Sequence, residues 1–182
     1  SLLVSGTQVG ATSANVTVAI AEPAITAITK TILPVSASYL PGDSVTYTLA
    51  FSNVSAGNTN AATAFGIVLT DTFHTNLTLG AVNITSTQGV SGVATCAGGN
   101  SFTAGSSTAG QLVTVNISCL DPGNTVNVTV NAAIGAGTTS GTTISNTAGL
   151  TYTSLPGAQG NCAAAPFSCS GVGAGGSGTG ER

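Results

Sequence analysis

The chain of 182 residues has no methionine, no tryptophan and almost no charge. Lys30, Arg182, Glu22, Asp43, Asp71, Asp121 and Glu181 are its whole complement, 4 % of residues against a usual quarter. At a formal charge of −3 there is no basic footprint for nucleic acid or an anionic membrane surface. So few carboxylates can hardly converge on a calcium ion. Lys, Glu and Leu are scarce and glycine is frequent at 25 residues, which argues against helices. Thr, Ser, Asn or Gly interrupts every apolar run, so no membrane-spanning segment is expected. The opening Ser1-Leu2-Leu3-Val4 lacks the basic start and long apolar centre of a signal peptide, and reads as a mature protein or an internal piece of a longer one.

What dominates is Thr, Ser, Ala, Val and Asn, and β-branched residues favour strands. Period-two alternation recurs along the chain. Val16, Val18 and Ile20 share one face, as do Ile28, Lys30 and Ile32. After the turn Pro41-Gly42-Asp43 come Val45, Tyr47, Leu49 and Phe51, then Ile67, Leu69, Asp71 and Phe73. Val113, Val115, Ile117 and Cys119 lead through Asp121-Pro122-Gly123 to Val126, Val128 and Val130. Ile144, Asn146, Ala148, Leu150 and Tyr152 form the last face. Many short strands with no helical period predict an all-β fold, an immunoglobulin-like antiparallel β-sandwich over residues 23–154. Residues 1–22 read as a closing or donated strand that needs a sheet edge on its own domain or a neighbour. Residues 155–182 read as a Gly/Ala/Ser-rich linker. Solubility rests on hydroxyl and amide groups, as in secreted surface proteins, and so weakly self-repelling a surface favours association with copies of itself.

Cys96, Cys119, Cys162 and Cys169 form an even set that fits two disulfides and an oxidising compartment. Local pairing, Cys96 with Cys119 across a Gly/Ser-rich hairpin and Cys162 with Cys169 around a small loop, is the expected connectivity; crossed pairing stays open. Zinc is the rival reading, but a paired Cys-x2-Cys pattern is missing. No metal and no cofactor are expected.

Lys30 carries the chain's single lysine ammonium, on the inward parity of a strand. A buried ammonium must be paired, neutral or chemically consumed. Asp71 and Asn146 fall on the same inward parity of other strands. Burial favours a neutral amine and a protonated acid, so Asp71 would donate to the Asn146 carbonyl while Lys30 attacks and ammonia leaves. The expected product is an intramolecular isopeptide bond, Lys30 to Asn146, joining the first and last strands, with Asp71 as promoting acid. The plainer alternative is a Lys30–Asp71 ion pair with Asn146 hydrogen-bonded beside it.

Five segments in order, AITKT (27–31), PGDSVTYTLAFSN (41–53), VLTDTF (68–73), LDPGNTVNVTV (120–130) and ISNTAGLTY (144–152), resemble the tandem repeat of prokaryotic surface proteins known as domain of unknown function eleven. The closing YTSLPG…GTGER is similar to the spacer that follows such repeats. The resemblance implies an exported immunoglobulin-like sandwich, repeated in series as stalk or fibre. Phe73-His74 departs from it, since the family usually has Leu-Pro there. The Lys–acid–Asn layout is likewise similar to stalk domains of bacterial adhesins and pili.

The expected role is therefore non-enzymatic: a structural module of an extracellular filament or cell-surface stalk, with copies of itself as partners. The alternative is an adhesin module binding a glycan or host protein, which needs an aromatic-lined patch that Tyr39, Tyr47 and Tyr152 barely supply. Asn15, Asn53, Asn76, Asn83, Asn116 and Asn127 each begin an Asn-x-Ser/Thr sequon and are candidate glycosylation sites, although Thr-rich strands produce such triplets by chance. His74 reads as a turn residue, and Asp43 and Asp121 as turn aspartates bonding to local backbone. Gly171-x-Gly173-x-x-Gly176 fits a dinucleotide fingerprint by letters only, with no βαβ context, and reads as spacer.

Overall fold

The computed structural model describes residues 20–54 and 61–156. Residues 1–19 of the expected donated strand (1–22), the sequon at Asn15, the Cys162–Cys169 loop and the tail beyond residue 156 lie outside the described residues. Among the described residues no helix is long and apolar enough to cross a membrane.

Among the described residues, the alternating segments form strands with their apolar parity turned inward. One sheet is formed by β1 (Thr29–Leu33), β2 (Ser44–Ser52), β9 (Thr125–Ile134) and β4 (Leu77–Ser86), in the order β1-β2-β9-β4. The other has the order β10-β3-β8-β7, from β10 (Thr147–Thr153), β3 (Ala64–Thr72), β8 (Leu112–Leu120) and β7 (Ala104–Ala109). Every pairing within them is antiparallel. A two-stranded ribbon, β5 (Thr95–Cys96) and β6 (Asn100–Ser101), lies between β4 and β7 in sequence. The chain is an immunoglobulin-like antiparallel sandwich.

The core is the sum of the inward parities. Val45, Leu49 and Phe51 from β2 meet Val126, Val128 and Val130 from β9 on one sheet. Ile67 and Leu69 from β3 meet Val113, Val115 and Ile117 from β8 on the other. Burying each such side chain stabilises the fold by about 1.5–3 kcal/mol. Two Pro-Gly corners set the poles. Asp43 N–H donates to Leu40 O at 3.0 Å and Asn124 N–H to Asp121 O at 3.2 Å, around Gly42 (φ 94°) and Gly123 (φ 87°). Proline at the second turn position and left-handed glycine at the third are what a type II turn demands.

The Cys96–Cys119 disulfide forms as expected, with Cα atoms 6.3 Å apart. It fastens the ribbon to β8 and closes a loop worth on the order of 3 kcal/mol of unfolded-chain entropy. Glu22 already bonds to the sandwich: its carbonyl accepts from Ala62 N–H at 3.1 Å, and it pairs in parallel with Ala61.

Candidate crosslinking site

Lys30 sits at the centre of β1, an edge strand of five residues whose outward positions are Thr29, Thr31 and Leu33. Its register partner is Leu49, so its side chain enters the sandwich beside the core residues of β2. Asp71 lies near the end of β3 in the opposite sheet. Asn146 immediately precedes β10, which pairs with β3 through Ala148 opposite Asp71. All three sit at one flank of the sandwich, because β1 and β10 are edge strands of facing sheets.

Lys30 Nζ donates to Asp71 Oδ1 at 2.6 Å and to Oδ2 at 2.7 Å. Asn146 Nδ2 donates to the same Oδ2 at 3.2 Å. The Asp71 side chain is 2 % exposed and that of Lys30 22 %, so the acid is sealed in and the amine half-buried. Two rings wall the amine, Phe73 with its centroid 5.2 Å from Nζ and Tyr47 at 5.7 Å. They meet edge to face, 5.2 Å apart. An ammonium over ring faces gains cation–π attraction.

Burial pushes the Lys30 ammonium below the ordinary lysine value of 10.5, and the hydrogen bond and charge of Asp71 only partly restore it. Tyr47 moves up from 10.0, through burial first and the Tyr39 and Asp71 charges next. In the variant Asn146→Ala, where the Lys30 amine has no amide carbon to react with, the folded chain releases the Lys30 proton at lower pH than the unfolded chain. Between those two values the unfolded state holds more protons, so raising the pH favours folding. The stability of this variant, measured by urea unfolding, is expected to rise as the pH climbs toward 10.5. Above 10.0 the unfolded chain loses its tyrosine proton first, and Tyr47 opposes the gain. Adding Tyr47→Phe should extend the rise. A flat or falling profile below 10.0 would show that the free amine is not held in a low-polarity site.

The amide orientation differs from the sequence expectation. The Asp71 carboxylate accepts from the amide nitrogen of Asn146 and does not donate to its carbonyl. The acid thus touches both the Lys30 amine and the Asn146 amide nitrogen.

The sequence pattern missed Tyr47 and Phe73 as walls of the site, although Phe73 shares the parity of Asp71 and Tyr47 lies opposite Ile32. It also missed Asn53. The expectation of a glycosylation acceptor at Asn53 is corrected: its side chain is 0 % exposed. Nδ2 donates to Ala62 O and Leu120 O, both at 2.8 Å, and Oδ1 accepts from Ala24 N–H at 3.0 Å. Every polar atom of the amide is committed to backbone, so no sugar can be attached in the fold. Asn83 and Asn116 are exposed, and Asn76 and Asn127 half-buried. His74 is a turn residue, as expected, with Nδ1 accepting from Asn76 N–H at 3.1 Å. Asp43 caps its turn by accepting from Leu40 N–H at 2.7 Å. Asp121 reaches further than its own turn, to Thr63, Gln88 and Ala97. Among the described residues no group of three or more His, Cys, Asp or Glu side chains is placed to hold a metal ion.

An immunoglobulin-like sandwich whose facing sheets meet through a Lys–Asp–Asn cluster centred on one buried carboxylate is the class these features define. No protein-family model matches the chain, and no curated protein matches it in sequence. Among solved structures it is similar to BcpA, the major pilin subunit of Bacillus cereus, at TM-score 0.50 and 18 % identity, covering 72 % of this chain and 35 % of that one. It is similar also to the pilus backbone RrgB from Streptococcus pneumoniae, at TM-score 0.50 and 18 % identity, covering 71 % and 53 %. The likeness is one of fold, and the chain spans about a third to a half of those proteins' length.

Proposed function

We propose that this chain is a structural module of an extracellular filament or cell-surface stalk, made by self-association of copies or repeats, and held by a Lys30–Asn146 isopeptide bond and disulfides. The specific repeat family it resembles, domain of unknown function eleven, belongs to the same proposal. The observation that carries it is the shared Asp71 carboxylate, bonded to the amine at 2.6 Å and to the amide nitrogen at 3.2 Å. Starting from the ion pair, Lys30 yields one proton to Asp71 and the neutral amine attacks Cγ of Asn146. The Nζ–Cγ bond forms, Nζ gives up a second proton as the Cγ–Nδ2 bond breaks, and Asp71 relays both protons to Nδ2, which departs as ammonium and leaves the carboxylate as it began. The reaction runs once per molecule and turns over no outside substrate.

Mechanically, the bond would join β1 to the approach of β10, so tension entering at one terminus would leave at the other without peeling either sheet. Exposed apolar side chains support contact between copies. Leu33, Val35 and Leu40 stand out in and around the β1–β2 connection, and Val54 and Leu155 follow the far ends of β2 and β10. The purified full chain, concentrated and viewed by electron microscopy, is expected to form regular filaments. Dispersed monomers that bind a glycan array would overturn the structural reading in favour of an adhesin.

A further inference from the structure

A second carboxylate repeats the logic of the first with different partners. Thr63 Oγ1 donates to Asp121 Oδ1 at 2.6 Å, and Gln88 Nε2 donates to Asp121 Oδ2 at 3.0 Å. A hydroxyl nucleophile and a carboxamide therefore meet on the two oxygens of one acid. The Gln88 carbonyl is held as well, since Oε1 accepts from the Asp121 backbone N–H at 2.9 Å. That donor is aimed at the oxygen on which charge develops when an amide carbon is attacked. The acid is itself fixed by Ala97 N–H, at 3.1 Å from Oδ1 and 3.0 Å from Oδ2. Gln88 Nε2 also donates to Thr95 O at 3.0 Å, which sets the plane of the amide. Thr63 is 8 % exposed, so bulk water has little access to the nucleophile.

We propose that Thr63 and Gln88 form a second self-made crosslink, an ester between Thr63 Oγ1 and Gln88 Cδ promoted by Asp121. Asp121 takes the hydroxyl proton, and Oγ1 adds to Cδ while the backbone N–H holds the carbonyl oxygen. The Cδ–Nε2 bond then breaks. The carboxyl returns its proton to the leaving nitrogen, which departs as ammonia, and Asp121 ends as it began. No oxidant or co-reactant is required. Thr63 immediately precedes β3 and Gln88 follows β4, so the ester joins the two sheets beside the Cys96–Cys119 bridge. It does not depend on the Lys30–Asn146 bond.

The test is peptide mapping of the full chain, denatured, reduced and cut with chymotrypsin, with and without hydroxylamine. The expected result is one branched peptide joining the Thr63 and Gln88 segments, lighter than their sum by one ammonia. Hydroxylamine should split it and leave a hydroxamate on Gln88. In Thr63→Val the two segments should run separately with the Gln88 amide intact. Separate segments of unmodified mass from the wild-type chain, before any hydroxylamine, overturn the proposal whether or not the variant folds. Hydroxylamine cleaves an ester and spares an amide, and Lys30 and Asn146 lie in other peptides, so either crosslink can fail alone in the same map.

Discussion

Asn146→Ala is expected to abolish the one-ammonia mass deficit of the Lys30–Asn146 pair and to lower unfolding stability by about 5 kcal/mol. The estimate treats the bond as a clamp on the long loop between residues 30 and 146, in the way a disulfide restricts the unfolded chain. For a domain of this size it corresponds to a fall in Tm of roughly 15 °C. The variant leaves the Lys30–Asp71 pair in place, so the loss reports the crosslink and not a stranded charge. Asp71→Asn tests the other half: without a proton carrier between amine and amide, the mass should likewise stay unreacted. A wild-type chain of unmodified mass at these residues, with Asn146→Ala costing under about 1 kcal/mol, would reduce the site to an ion pair with a neighbouring amide.

Asn53→Ala is expected to cost about 3–5 kcal/mol, as large as the loss of a core leucine, although asparagine is a polar residue. Truncation strands Ala62 O and Leu120 O, and leaves Ala24 N–H without its acceptor. Each buried group left unpaired costs about 1–3 kcal/mol. The three bonds tie the approach to β1, the approach to β3 and the end of β8, so local fraying should follow. Asn53→Asp should be no milder, because a carboxylate would face two carbonyl oxygens where an amide donated to both. Guanidinium unfolding with hydrogen exchange at Ala24 and its neighbours is the measurement. A loss below about 1 kcal/mol with unchanged exchange would mean that water replaces the amide readily.

Much of the fold was legible because a strand's side-chain period is two. Val45, Leu49 and Phe51, or Val126, Val128 and Val130, announce a buried face without any knowledge of the partner strand. The same parity placed Lys30, Asp71 and Asn146 indoors, and scarcity made the lysine conspicuous. Cys96 and Cys119 could be paired because the hairpin between them brings its ends together. Asn53 was misread for the same physical reason: a sequon is a three-residue pattern and carries no information on burial. It sits on the parity of Leu49 and Phe51, and that was the available signal. Asp121 and Gln88 gave no cue, since a turn aspartate and a loop glutamine are ordinary surface residues until distant segments converge on them.

Local chemistry was enough to decide the strands, the inward faces, the sandwich class and the candidate crosslink residues, because each depends on neighbours a few positions away. The pairing of β1 with β2 and of β10 with β3, the rings of Tyr47 and Phe73 around the amine, and the orientation of the Asn146 amide required the packed molecule. So did the Thr63–Asp121–Gln88 cluster. Parity tells a side chain which way to face, but whom it meets is set by how two sheets stack, and that is a property of the whole chain.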